Sequence, residues 1–86
     1  MKSFKNKKIV VDTCSSWIYI GKFVSEDELY ICLEDVDAFD ISETSLSKQE
    51  YLMMVKKDGI VPNRKMVKVL KSKIVAITLL DDIIEK

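Results

Sequence analysis

The stretch Trp17-Ile18-Tyr19-Ile20-Gly21-Lys22-Phe23-Val24 decides the class of fold. Its β-branched and aromatic residues suit a strand. Read with a period of two, one face carries Trp17, Tyr19 and Phe23, the other Ile18, Ile20 and Val24. Both faces are apolar, so both must meet something apolar. Gly21 lies inside this run, where glycine marks a bulge, a sharp bend or a close approach of backbone. A strongly bent strand is what a small barrel requires.

Upstream, Ile9-Val10-Val11-Asp12-Thr13 is a short β-branched run that reads as a first strand, joined through Cys14-Ser15-Ser16. Downstream, Ser25-Glu26-Asp27-Glu28 is a polar turn leading into Leu29–Leu33, which makes a hairpin whose Leu29, Ile31 and Leu33 are expected to face the core. Residues 36–41 (VDAFDI) either continue that strand or form a short one of their own. The period then changes. Ser47 and Glu50 match a capping box, Gly59 is a helix stop, and Tyr51, Leu52 and Val55 fall on one stripe between them. Met53 lies off that stripe and is expected to be exposed. After Pro62, Asn63-Arg64-Lys65 reads as a loop, Met66–Leu70 as a strand, Lys71-Ser72-Lys73 as a tight turn and Ile74–Leu80 as the last strand. The predicted fold is mainly β: a small, strongly bent five-stranded barrel with one helix inserted between strands 3 and 4. Residues 1–8 are expected to be a basic N-terminal arm and 9–86 a single barrel domain.

The chain has 86 residues, 48% of them hydrophobic, which argues for a globular core but a modest one. Cores of this size are commonly supported by disulfides, a metal or oligomerisation. Cys14 and Cys32 form no CxxC spacing and have no histidine to join them, so they read as reduced, partly buried thiols of a cytoplasmic protein. Oligomerisation is the remaining source of extra burial. No apolar signal core follows the lysine-rich start, and Ile74–Leu80 is too short for a membrane span.

Catalysis is not expected. Without histidine there is no His-based acid–base work, and two glycines cannot build a phosphate-cradling loop. The carboxylates of 35–40 lack the glycine and terminal glutamate of a calcium loop, so no metal is predicted. No other cofactor is expected. Ser15, Ser16 and the cysteines have nothing nearby to activate them as nucleophiles.

A net charge of zero hides strong segregation. Lysines 2, 5, 7 and 8 open the chain, and residues 9–55 are acidic apart from Lys22 and Lys48. Residues 56–73 are basic apart from Asp58, and Asp81, Asp82 and Glu85 return the tail to acid. Such blocks either bind an anionic polymer or pair opposite faces of subunits. Arg64 and Lys65 are candidates for phosphate contact, although the basic run contains no aromatic residue.

Two segments resemble the motifs of the Sm and Sm-like proteins, in a divergent bacterial form. The first is Tyr19-Ile20-Gly21-Lys22-Phe23, the acidic turn 25–28 and the apolar strand Leu29–Val36. The second is Val67–Leu70, Lys71-Ser72 and Ile74–Ile77. The resemblance implies a bent, SH3-like five-stranded barrel whose copies close into rings of six or seven. In those rings the fourth strand of one subunit pairs with the fifth of the next. It further implies that Asp27, Tyr30, Lys71 and Ser72 surround a base of single-stranded RNA at the pore. The sequence departs from the pattern in several ways. Residues 1–8 promise no helix, the acidic turn is short, Tyr30 replaces an asparagine and Ser72 replaces the turn glycine. Tyr30 brings stacking where the family has hydrogen bonding. The expected function is an oligomeric RNA-binding protein, a riboregulator or RNA chaperone. The alternatives are a protein-interaction module on the same barrel without RNA binding, and a dimeric barrel of another small family.

Overall fold

In the computed structural model, residues 1–85 are described. Five strands, β1 (Lys8–Thr13), β2 (Trp17–Glu26), β3 (Tyr30–Asp40), β4 (Arg64–Leu70) and β5 (Ile74–Leu79), form one sheet, with α1 (Lys48–Asp58) between β3 and β4. The order in the sheet is β4-β3-β2-β1-β5, and every pairing is antiparallel. β4 and β5 therefore lie at the two edges.

The sheet bends where β2 and β3 slip past each other. The register runs Ile20↔Asp37 and then Lys22↔Glu34, so Asp35 and Val36 face Gly21 together. Asp35 takes a positive φ of 52°, the left-handed region that a bulge requires. A Cβ on Gly21 would stand 2.9 Å from Val36 Cγ2 and 3.1 Å from the Glu34 carbonyl oxygen. Close approach of β3 explains the glycine. A second slip after Phe23 and one in β1–β5 at Asp12/Thr13 continue the curvature.

Curving the sheet creates two apolar layers. Inside the curve, Ile9, Val11, Phe23, Ile31, Leu33, Val36 and Val69 pack together. On the convex side, Val10, Ile18 and Ile20 are covered by Leu52 and Val55 of α1 and by Leu80 and Ile83 after β5. The two-faced apolar pattern of β1 and β2 is thus satisfied by a helix and a returning tail. Helix α1 starts in a full capping box between Ser47 and Glu50 and ends at Gly59, whose φ is 91°. Tyr51 stacks on Phe39 at 3.9 Å between centroids and donates its hydroxyl to Asp37 Oδ2 at 2.6 Å.

Of the two readings of residues 36–41 the continuation holds: β3 runs unbroken to Asp40, because the bulge at Asp35 absorbs the change of face. Several other assignments differ from expectation. Met53 is half-buried rather than exposed, since the segment beyond β5 folds back over that side of α1. Lys56 Nζ and Gln49 Nε2 donate to the carbonyls of Ile83 and Ile84 there, each at 2.6 Å. Met54 is the exposed methionine of the helix. Arg64 and Lys65 are the first residues of β4, not loop. Asn63 sets that start. Its side-chain amide accepts from Ala38 N at 3.0 Å and donates to Ala38 O at 2.8 Å, completing the ladder where the backbone turns away. Residues 1–7 lie along β2: Phe4 packs on Phe23, Asn6 N donates to Phe23 O, and Phe23 N to Lys7 O. Cys14 is exposed, Cys32 is buried, and both thiols are free.

Candidate nucleic-acid interface

The β2–β3 turn and the β4–β5 turn meet at one end of the sheet. Tyr30 pairs with Leu70, and Lys71 N donates to Leu29 O at 2.8 Å. This register carries Asp27, Tyr30, Lys71 and Ser72 to the same end of the molecule, although more than forty residues of chain separate the first pair from the second.

Each of these residues has a definite local task. Asp27 Oδ1 accepts from Leu29 N at 2.9 Å and Tyr30 N at 2.8 Å, and Asp27 N donates to Tyr30 O. Those backbone donors, Tyr30 first and Leu29 second, hold the Asp27 carboxyl below its usual range, and Lys68 and Lys71 add to the effect. Asp27 is therefore the staple of a short turn as well as a charge at its tip. Lys71 Nζ reaches across to Glu26 Oε1 at 2.6 Å, and the amino group of Met1 reaches Glu26 Oε2 at 2.8 Å. The hydrogen bond from Lys71, followed by that from the amino terminus, lowers the Glu26 carboxyl below its ordinary value. The Lys71 ammonium is thus held by a carboxylate one residue before the turn acid. Ser72 lies exposed in the single 3₁₀ turn Lys71–Lys73.

Leu29 and Tyr30 stand at the tip, 60% and 37% exposed. An aromatic face and an aliphatic side chain open to solvent beside two cations suit the flat face and phosphate of a nucleotide. Leu29 and Glu26 were not singled out from sequence. Leu29 reads there as a core position of the strand, and the partner of Glu26 is distant in the chain. Arg64 and Lys65 are not part of this end. They begin β4 beside Val36 and are removed from Lys71 by the length of the strand, roughly 20 Å.

The basic run lacks aromatics of its own, yet the fold supplies two. Trp17 and Tyr19 of β2 are stacked, with centroids 6.4 Å apart. With Lys68 and Lys73 they line a shallow groove of about 410 Å³ against β4. Their shared face was visible in the alternation of β2; their neighbour was not. Among the described residues no group of carboxylates, cysteines or histidines is placed to hold a metal. No helix is long and apolar enough to cross a membrane.

No protein-family model matches this sequence. No curated protein matches it either. Among solved structures, the Sm protein of Pyrococcus abyssii, determined in complex with a uridine heptamer, superposes with a TM-score of 0.62. It does so at 14% identity over 91% of this chain and 89% of that one. The fold is Sm-like. Five antiparallel strands in one bent sheet, with one helix between β3 and β4, match that fold. The helix of this Sm-like chain is the one between β3 and β4, and the start of the chain contributes only a 3₁₀ turn, Lys2–Phe4.

Proposed function

We propose that this chain is an oligomeric Sm-like protein of a divergent bacterial type that binds single-stranded RNA, acting as a riboregulator or RNA chaperone rather than an enzyme. The observation that carries the reading is the exposed Tyr30 beside Lys71 where two turns meet at the end of an Sm-like barrel. Tyr30 stacks on a base, Lys71 exchanges Glu26 for a phosphate, and Asp27 with Ser72 shapes the tip. No cofactor enters, and the compartment is the cytoplasm. The open edges of β4 and β5 support assembly into a homo-oligomeric ring of six or seven copies, since unpaired strands in a monomer invite pairing.

Short U-rich and A-rich RNAs at two salt concentrations test this in a mobility-shift assay. Binding is expected at low salt and falls steeply as salt rises. Tyr30→Ala is expected to weaken it by about 1–3 kcal/mol, the worth of one stacked base. Glu26→Gln frees Lys71 and is expected to tighten it. Absence of binding by an assembled oligomer at low salt overturns the RNA reading. It would favour the second one, a protein-interaction module, for which the internal use of Asp27 and Lys71 already speaks.

A further inference from the structure

The subunit has four ion pairs among its described residues: Lys22–Glu34, Lys48–Asp12, and the two on Glu26 made by Lys71 and the amino terminus. Four exposed charges at the sheet's two edges take no part in them. Arg64 and Lys65 are the first two residues of β4, and Asp81 and Asp82 lie in the 3₁₀ turn Leu80–Asp82 that follows β5. Arg64 makes only a 3.2 Å hydrogen bond to the Asn63 carbonyl. β4 is paired on one side with β3, and β5 on one side with β1, so each presents an open row of backbone donors and acceptors. Met66 on β4 is 50% exposed and Val75 on β5 is 69% exposed, apolar surface that a second strand would cover.

We infer that these charges form a clasp between copies: Arg64 and Lys65 of one subunit engage Asp81 and Asp82 of the next, fixing the register and direction in which β4 and β5 edges join. The inference rests on the ring reading above and says which residues select it. Antiparallel addition, the sense of every pairing already in the sheet, sets the start of β4 against the end of the neighbouring β5. The two basic residues then meet the two acidic ones. Parallel addition would instead set Arg64 against Lys73 at the start of the neighbouring β5, a like-charge contact that opposes assembly. Joining β4 to β4 antiparallel sets Arg64 and Lys65 against Leu70 and Lys71 of the twin, with no acid to meet, whereas joining β5 to β5 offers Asp81 and Asp82 only Lys73 and leaves Arg64 and Lys65 unmatched. The contact is thus heterologous and repeats from copy to copy. Exposed pairs are individually weak and screened by salt. Their part is to choose the partner edge, while the strand ladder and the covered apolar side chains hold it.

The test is the solution mass of the full chain by sedimentation velocity at low and high salt. It is run for the wild type, for Arg64→Glu with Lys65→Glu, and for Asp81→Lys with Asp82→Lys. All four changed positions are exposed, and circular dichroism with thermal unfolding checks that each variant keeps the fold. The wild type is expected to assemble at low salt and to loosen as salt rises. Each charge-reversed variant is expected to need about tenfold or more higher concentration to assemble. An equimolar mixture of the two variants is expected to recover assembly, because alternating copies again join opposite charges, at every interface of a six-membered ring and at all but one of a seven-membered ring. Folded variants that assemble like the wild type overturn the clasp and leave the ring standing, as does a mixture that fails to recover. A wild type that stays at subunit mass at low salt overturns the ring itself.

Discussion

At the scale of single residues, Gly21 and Asp35 make the bend. Gly21 is needed for space, since its Cβ position is occupied by Val36 and the Glu34 carbonyl. Asp35 tolerates the left-handed backbone better than a branched residue would. Gly21→Ala is expected to cost about 1–3 kcal/mol in urea unfolding, the range for overfilling a packed site. Val36→Ala empties part of a buried site and costs stability of its own, but in that background Gly21→Ala should cost less than in the wild type, because Val36 Cγ2 is the nearest obstacle. An undiminished cost of Gly21→Ala in that background would place the strain on the Glu34 carbonyl instead. The presence of a special residue at Gly21 was legible in the sequence, where glycine interrupts an otherwise continuous strand. Which backbone it makes room for was not, because Glu34 and Val36 come near only once β3 has folded back. Asn63 shows the opposite case. Its placement after Pro62 suggests display in a loop, and the fold uses it to close the ladder at Ala38.

At the scale of elements, α1 is a local design with a distant anchor. The Ser47 and Glu50 cap and the Gly59 stop are near neighbours in the chain, so they are readable directly. The docking of the helix depends on Tyr51 meeting Asp37 of β3, a buried carboxylate at 6% exposure. Desolvation first, then the hydrogen bond and charge of Asp37, push the Tyr51 hydroxyl up to about 12. In the unfolded chain a tyrosine loses its proton near 10. The protonated form is therefore favoured in the fold. Stability from this group is complete below about pH 10 and is lost as pH rises from there towards about 12. Tyr51→Phe is expected to remove the tyrosinate absorbance phase near pH 12 and to flatten the alkaline fall of melting temperature. At neutral pH it should cost about 1–3 kcal/mol, because Asp37 then stays buried without its donor. An unchanged alkaline titration would separate Tyr51 from that phase.

At the scale of the whole molecule, one curved sheet serves two cores, and the convex one is completed only by segments far apart in sequence. Val10, Ile18 and Ile20 rely on α1 and on Leu80 and Ile83 beyond β5. Ile83→Ala is accordingly expected to cost about 2–4 kcal/mol by thermal or urea unfolding, as for other aliphatic truncations in a core. The same change should loosen Lys56, which bonds the Ile83 carbonyl. A loss under about 0.5 kcal/mol, the scale of a surface change, would show that the tail is not part of the cooperative core. The arrangement also leaves the sheet's edges, rather than its faces, as the free surface of the strands.

The sequence by itself determined the strands, the helix with its cap and stop, the two turns and the absence of histidine chemistry. Each of these depends on residues within a few positions of one another: alternation, capping spacing, turn-forming side chains. Tertiary structure alone decided what those pieces meet. It joined Asp27 and Tyr30 to Lys71 and tied Lys71 to Glu26. It brought Trp17 and Tyr19 to the lysines of a run that has no aromatics, and it placed Arg64 and Lys65 at the start of an edge strand, away from the end that holds Tyr30 and Lys71. Such neighbours are set by strand register and by the curvature that Gly21 permits. Register is a property of the assembled sheet, in which a slip of one residue exchanges the faces of a whole strand.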